Sequence, residues 1–301
     1  MRNNFSQVTI VCVTYNSENI IPSLADSLRL FENVIVVDNA SRDQSADLVR
    51  QLAPHAKLIV DRKNEGFGAA NNRAVTQAQT PLVLLLNPDC LIEAAALAEL
   101  VSAMNTYSQA GIVSPQAFGQ DRAVQISYRQ AFYEKRAHSN YLVPEAICSS
   151  KWLTGCCMLV RVEHFREIGG FDDRFFLYYE DDDLCLRMVA AGHECLIQPA
   201  ATVMHIGGAA STPSWRTDVF KHFHYFRSRQ MMIRTYVGAG AALQYHLKTL
   251  MGAVPALLIY GVAGQGSRWL KWLGWSLSAL TPHSFLFYTQ APSVNRRFNG
   301  E

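Results

Sequence analysis

Short apolar runs alternate with helix-patterned segments through the first 115 residues, and this rhythm constrains the fold more than any other feature of the chain. Val8 to Val13 reads as a buried strand. Glu18 to Leu30 follows, with Ile20, Leu24 and Leu28 at helical spacing and Ser17 placed as an N-cap. Val34 to Val37 is a second strand, ending in Asp38, and Ser45 to Leu52 a second helix. Lys57 to Val60, Leu82 to Leu86 and Gly111 to Ser114 complete five strands, with helices over Gly68 to Ala78 and Glu93 to Tyr107. Apolar strands separated by helices predict an α/β fold, a mostly parallel sheet covered on both faces.

Ligands of such sheets bind beyond the carboxyl ends of the strands. The residues there are Thr14-Tyr15-Asn16, Asp38-Asn39, the stretch around Asn64, and Asp89. A carboxylate at Asp89 can hold Mg²⁺ or Mn²⁺ against a diphosphate, since these hard cations take oxygen ligands. Asn87-Pro88-Asp89 also favours a turn on its own, and both readings stand at this point. Asp38 can meet the edge of a nucleobase or close its strand as an Asx turn. Asn64 to Asn72 is a glycine-containing loop that opens a helix; it suits phosphate, and it is equally a plain strand-to-helix turn.

Pattern weakens from Gln116 to Ser150, and a second set of signals runs from Trp152 to Ser211. Gly169-Gly170-Phe171-Asp172 leads through Phe175-Phe176-Leu177-Tyr178-Tyr179 into Glu180-Asp181-Asp182-Asp183. Asp183 and Arg187 stand i, i+4 on a helix that ends near Gly192. Acidic residues favour helix N-termini, but four in a row also repel one another. Apolar rings beside them raise a carboxyl pKa and suit a general base. His205, after the apolar stretch Ala200 to Met204, is either structural or a nitrogen ligand for a metal.

Net charge is +2 with no large basic cluster, which excludes a nucleic-acid partner as the natural reading. The seven cysteines form no CxxC pair, so neither a zinc site nor a disulfide framework is indicated. Several of them sit in apolar runs as small hydrophobes. The N-terminal run VTIVCV is too short for a signal-peptide core, and a reducing cytosolic location is expected.

Taken in order, these motifs resemble family 2 glycosyltransferases with the GT-A fold, closest in spelling to the bacterial rhamnosyltransferase-like branch. The matching segments are VTYNS at Val13 to Ser17, VVDNAS at Val36 to Ser41, NEGFGAANN at Asn64 to Asn72 and NPD at Asn87 to Asp89. They continue with WLTGCCMLVR at Trp152 to Arg161, GGFDDRFFLYYEDDDLCLR at Gly169 to Arg187 and HIGGAAS at His205 to Ser211. The resemblance implies an inverting enzyme that moves a sugar from a nucleotide-diphosphate donor to a hydroxyl of a glycan or lipid-linked acceptor. L-Rhamnose from dTDP-rhamnose is the first choice of donor; galactofuranose, glucose and N-acetylhexosamines stay open.

It also implies roles. Asp38 contacts a uracil or thymine ring, Thr14 and Asn16 lie near the nucleotide, and Asn64 and Gly66 lie near its ribose and phosphates. Asp89 matches the last carboxylate of the family's DXD metal motif. The first position is Asn87 here, which thins the metal shell and raises the weight of His205. Asp181 matches the second residue of the family's ED pair, the catalytic base, with Glu180 before it. Trp152, Gly155 and Asp182 fall to the acceptor side. The expected domains are a catalytic domain over 1–215, with a nucleotide-binding half 1–115 and an acceptor-binding half 116–215, and a helical region over 216–301.

A nucleotidyltransferase would want a glycine-rich loop with Lys or Arg near the N-terminus, and VTYNS is not that loop. A non-catalytic glycan-binding or scaffold protein of the same fold is opposed by the intact ED pair and NPD. Lys248 and Arg268 bracket an uncharged run that is nearly long enough to span a bilayer but is interrupted by Pro255 and several glycines. Trp269, Leu273, Ser276 and Leu280 follow at helical spacing with Lys271, Trp272 and Trp275 nearby. That mixture predicts peripheral attachment to the inner face of the plasma membrane; packing on the core or in a homodimer is the alternative.

Overall fold

The computed structural model describes residues 5–134, 143–207 and 214–281. The chain divides into two compact units, residues 1–174 with 180–212 and residues 175–179 with 213–301. The aromatic segment Phe175–Tyr179 thus belongs with the C-terminal helices, not with the sheet.

The first unit runs β1 (Val8–Thr14), α1 (Ile21–Leu28), β2 (Val34–Asp38), α2 (Ser45–Leu52), β3 (Lys57–Val60), α3 (Phe67–Gln77), β4 (Leu82–Leu86), β5 (Cys90–Ile92), α4 (Ala94–Thr106) and β6 (Ala110–Phe118). It continues with β7 (Tyr128–Arg129), β8 (Cys148–Ser149), β9 (Trp152–Leu153), β10 (Cys157–Arg161), α5 (Val162–Glu167), α6 (Glu180–Ala190) and β11 (Glu194–His205). Strands order as β3-β2-β1-β4-β10-β6-β11-β5, with β8 also on β11, and β7 pairs β9 separately. Six strands, β1, β2, β3, β4, β6 and β11, point one way, while β5, β8 and β10 run against them.

Period-two alternation builds the layers. Val8, Ile10 and Cys12 of β1 enter one core with Ile21, Leu24 and Leu28 of α1 and Leu97 and Leu100 of α4. Val11 and Val13 enter the opposite core with Ala70, Ala74 and Val75 of α3 and Leu184 and Met188 of α6. Both faces are covered, so every residue of β1, β2 and β4 is buried. This is the three-layer arrangement that the apolar runs predict.

Two local expectations differ. Ser17 does not cap α1: the cap position is Ile20, without a side-chain bond, and the Ser17 carbonyl accepts from Ile20 and Ile21 instead. Ser17 is held elsewhere, its N–H donating to Ser45 Oγ at 2.7 Å. The short strand β5 directly after Asp89 is too brief for any periodicity to show in the sequence.

The second unit consists of α7 (Trp215–Tyr236), α8 (Ala239–Val262) and α9 (Gly266–Leu280), packed on one another. Phe226 of α7 is fully buried and stacks on Tyr245 of α8 at 5.3 Å and near Trp275 of α9 at 5.9 Å. Phe176 stacks on His224 at 4.4 Å, the Ser228 hydroxyl donates to the Leu177 carbonyl at 2.8 Å, and the Tyr179 hydroxyl donates to that of Tyr225 at 3.1 Å. These contacts tie the aromatic segment to α7. Helix α8 runs unbroken through Pro255, which the sequence marks as an interruption. No helix among the described residues is long and apolar enough to cross a membrane.

Candidate active site

The parallel register sets Thr14 beside Asp38 at the carboxyl ends of β1 and β2. Asp38 is buried; its Oδ1 accepts from the Ser41 N–H at 2.9 Å, so the Asx turn is realised. Thr14 Oγ1 makes a long 3.4 Å contact to Asp38 Oδ2. Asn16 takes a left-handed φ of 50°, and its Oδ1 accepts from the Arg42 N–H at 2.8 Å. Asn64 Oδ1 accepts from the Gly66 N–H at 2.9 Å, and Gly66, at φ 99°, opens α3 where a side chain would be strained. Asn39 fastens the two strand ends together. Its Nδ2 donates to Asn64 Oδ1 at 3.0 Å and to the Gly66 carbonyl at 3.1 Å, while its Oδ1 accepts from the Glu65 N–H at 3.2 Å.

Beyond β4 the chain turns through Asn87-Pro88-Asp89 into β5, whose register on β11 sets His205 opposite Cys90. His205 Nε2 lies 3.6 Å from Asp89 Oδ1. Ligand atoms of Asp89, Cys90 and His205 all fall within 4.8 Å of one another. Asp89 Oδ1 and Asn87 Oδ1 are buried and accept no hydrogen bond. An orphaned carboxylate oxygen of Asp89 beside an imidazole nitrogen fits a divalent cation, because such a group is otherwise costly to bury. Burial pushes the Cys90 thiol well up, so it stays protonated and is the poorest ligand of the three.

The acidic cluster opens α6. Asp181 is held by two backbone donors, the Gly155 N–H at 3.0 Å on Oδ2 and the Asp182 N–H at 2.9 Å on Oδ1. Desolvation raises its pKa, and these bonds and the Arg129 charge pull it back. Arg129 grips both oxygens of Asp182 at 2.8 Å and lies over the Trp152 ring, its cross-strand partner, at 4.3 Å. Even so, burial first and the Asp181 charge second push Asp182 up to about 8. Glu180 is raised well above the carboxylate range, by burial first and Asp181 second, and its Oε2 has no hydrogen-bond partner. Burial raises all three adjacent carboxyls, and Asp181 is the one held by backbone N–H donors and not tied into an ion pair. Asp183 belongs to structure: it pairs with Arg187 at 2.6 Å, the i, i+4 contact expected.

Asp89 and His205 meet, as do Asp181, Asp182, Gly155 and Trp152, and separately Thr14, Asp38, Asn64 and Gly66. Gly155 touches the expected base, donating its N–H to Asp181. Sequence reasoning missed Arg129, which stands in a weakly patterned stretch, and read Asn39 only as a strand-end amide able to meet a nucleobase or close a turn. It also missed Gln125, whose side chain binds His205. The end of the HIGGAAS segment, from Gly208, lies outside the described residues. Tyr178 and Tyr179, immediately before Glu180, both adopt positive φ, at 68° and 67°. Bulky residues rarely adopt this conformation, and such strain clusters at functional sites.

The chain is similar to known proteins. The model of glycosyl transferase family 2 matches residues 9–169, and a second model, the N-terminal domain of galactosyltransferase, matches residues 143–208. An N-acetylglucosaminyl-diphospho-decaprenol L-rhamnosyltransferase of Mycobacterium tuberculosis is 29% identical over 65% of this chain and 75% of its own. The rhamnosyltransferase WbbL of Escherichia coli is 25% identical over 66% of this chain and 83% of its own. A mannosyltransferase from Pyrobaculum calidifontis, solved with GDP-Man and Mn²⁺, shares the fold with a TM-score of 0.55 at 17% identity, over 91% of this chain and 85% of that one. With the family model covering more than half its length, the chain belongs to glycosyl transferase family 2 and is a glycosyltransferase.

Proposed function

We propose that this enzyme transfers L-rhamnose from dTDP-rhamnose to a hydroxyl of a lipid-linked glycan precursor, with inversion at the anomeric carbon. The observation that carries the sugar and acceptor is the naming of both rhamnosyltransferase relatives, one of them for a diphospho-decaprenol acceptor. A galactosyl donor is the second reading, favoured by the match over residues 143–208.

In this reading residues 1–115 bind the nucleotide through Thr14, Asn16, Asp38, Asn64 and Gly66, and residues 116–215 serve the acceptor. Asp181 takes the proton of the acceptor hydroxyl. The freed oxygen bonds to the anomeric carbon as the carbon–oxygen bond to the diphosphate breaks, its electron pair leaving with the phosphate. No covalent sugar–enzyme intermediate forms. Arg129 occupies both oxygens of Asp182, which leaves Asp181 as the group that takes the acceptor proton. Asp89 and His205, with the Asn87 amide oxygen, would hold the cation. A nitrogen ligand turns the preference from Mg²⁺ toward Mn²⁺, since Mg²⁺ takes oxygen ligands. When bound, the ion supplies charge neutralisation for the leaving diphosphate.

The C-terminal unit is proposed to lie on an anionic membrane face. Leu243, Leu247, Met251, Val254, Leu258 and Val262 are exposed along one stripe of α8. From Val219 to Gly300 the sequence has no Asp or Glu, while Lys221, Arg227, Arg229, Arg234, Lys248, Arg268 and Lys271 are all basic. A homodimer through this stripe would bring two basic surfaces together; an anionic bilayer complements both features.

The deciding experiment offers the purified chain a panel of nucleotide sugars with a polyprenyl-diphospho-N-acetylglucosamine acceptor and Mn²⁺. Transfer from dTDP-rhamnose alone is expected, and loss of transfer in excess chelator. Preferential use of a UDP-hexose would replace the rhamnose assignment.

A further inference from the structure

We propose that Gln125 is a positioning residue that fixes the tautomer of His205, leaving Nε2 as the bare nitrogen beside Asp89. The inference rests on the metal reading above for its purpose, but its structural basis is independent of any ion.

After β6 the chain turns back at Gly119 to Ala123, the Gly119 N–H donating to the Ala123 carbonyl at 2.8 Å. Gln125 returns alongside β6 with its backbone fixed at both ends. Its N–H donates to the Ala117 carbonyl at 2.9 Å, and its carbonyl accepts from the buried Gln116 Nε2 at 2.8 Å. The side chain then reaches across to β11 and bonds one residue twice. Nε2 donates to the His205 carbonyl at 2.9 Å, and Oε1 lies 2.8 Å from His205 Nδ1.

Those two contacts leave one consistent assignment. A backbone carbonyl can only accept, so the amide nitrogen of Gln125 must face it. The amide oxygen then faces the ring, and an oxygen can only accept, so His205 Nδ1 must carry the hydrogen. Rotating the amide by half a turn would set two carbonyl oxygens against each other. In a neutral ring with hydrogen on Nδ1, the lone pair is on Nε2, the atom 3.6 Å from Asp89 Oδ1. Asp89 Oδ1, buried and without a donor, gains nothing from a bare nitrogen beside it. Two electron-rich atoms facing each other are an arrangement that a cation resolves. Metal-bound histidines commonly depend on such an outer partner, and its loss typically costs roughly 10–100-fold in metal affinity.

The test uses the full chain with ¹⁵N-labelled histidine. Ring nitrogen shifts of His205, read without metal at alkaline pH, report which nitrogen carries the hydrogen, and Mn²⁺ titration followed by electron paramagnetic resonance reports affinity. Wild type is expected to show hydrogen on Nδ1. Gln125→Leu should turn this into a mixture of tautomers and weaken Mn²⁺ binding by about 10–100-fold. Gln125→Glu loses the donor to the His205 carbonyl but keeps an acceptor for Nδ1, and should still place hydrogen on Nδ1, an outcome that a role confined to the carbonyl contact would not produce. Hydrogen on Nε2 in wild type, or an unchanged ring pattern in a folded Gln125→Leu protein, overturns the inference. Because the ring is read without metal, a wild type that binds no Mn²⁺ yet loses its Nδ1–H pattern in Gln125→Leu supports the tautomer assignment while rejecting the metal site.

Discussion

Gly155 donates its backbone N–H to Oδ2 of Asp181 at 3.0 Å, and a Cβ on Gly155 would stand 3.2 Å from the Asp181 Cβ. The missing side chain is what allows the donor to approach. Gly155→Ala is therefore expected to displace the Asp181 carboxylate by a few tenths of an ångström without unfolding the sheet. Transfer should fall by about 10–100-fold, since small misplacements at a reacting centre are costly. Steady-state kinetics should show the loss in kcat, with nucleotide binding by calorimetry unchanged; weakened nucleotide binding would place Gly155 elsewhere.

Asp181→Asn preserves size but cannot accept a proton. Transfer should drop by roughly 10²–10⁴-fold, the range for loss of a general base. Donor binding should persist, because the nucleotide is held by other strand ends. Asp182→Asn should be milder. The reverse ranking in single-turnover assays would move the base by one residue.

Arg129→Met strips a nearly buried carboxylate of its bidentate partner. Asp182 is then raised further, so the folded state loses stability as pH rises through its pKa. We expect a loss of roughly 1.5–3 kcal/mol by urea unfolding at neutral pH, the range for hydrogen bonds to a charged group, growing at alkaline pH. Adding Asp182→Asn should remove the alkaline part. Equal losses at acid and alkaline pH would assign the cost to the Trp152 contact instead.

Glu180 gives a second pH signature. Its folded pKa lies well above the ordinary 4.5, so the folded state binds the proton more tightly than the unfolded chain does. Its contribution is complete below pH 4.5 and is lost as pH rises toward the raised value. Glu180→Gln should flatten the decline of melting temperature as pH rises above 4.5. An unchanged slope in differential scanning calorimetry would mean that Glu180 ionises normally.

The stripe on α8 predicts lipid dependence. Replacing Met251, Val254 and Leu258 together by Ser should abolish co-sedimentation with phosphatidylglycerol vesicles and leave transfer to a short soluble acceptor intact. Unaltered partition, with a dimer lost on sedimentation, would assign the stripe to a second copy of the chain.

Much of the sheet was legible because it is buried on both faces. Val34 to Asp38, Ser45 to Leu52, Lys57 to Val60 and Leu82 to Leu86 are read from sequence within a residue of their observed ends. Apolar runs of strand length, bounded by polar turns, leave little other choice. Motif order also pointed to the family, and through it to Asp89, Asp181 and His205.

Local sequence contains neither long-range register nor proton placement. His205 meets Asp89 only because β5, three residues long, pairs antiparallel with β11, and nothing local in Cys90-Leu91-Ile92 specifies that partner. Gln125 and Arg129 lie in the stretch where hydrophobic pattern fades, and their side chains find His205 and Asp182 across separations of 80 and 53 residues. Periodicity reports which face of an element avoids water. Which polar groups end up facing one another, and hence which carboxyl stays charged and which nitrogen stays bare, is settled by tertiary packing, because hydrogen bonds and desolvation act through distance in space and not along the chain.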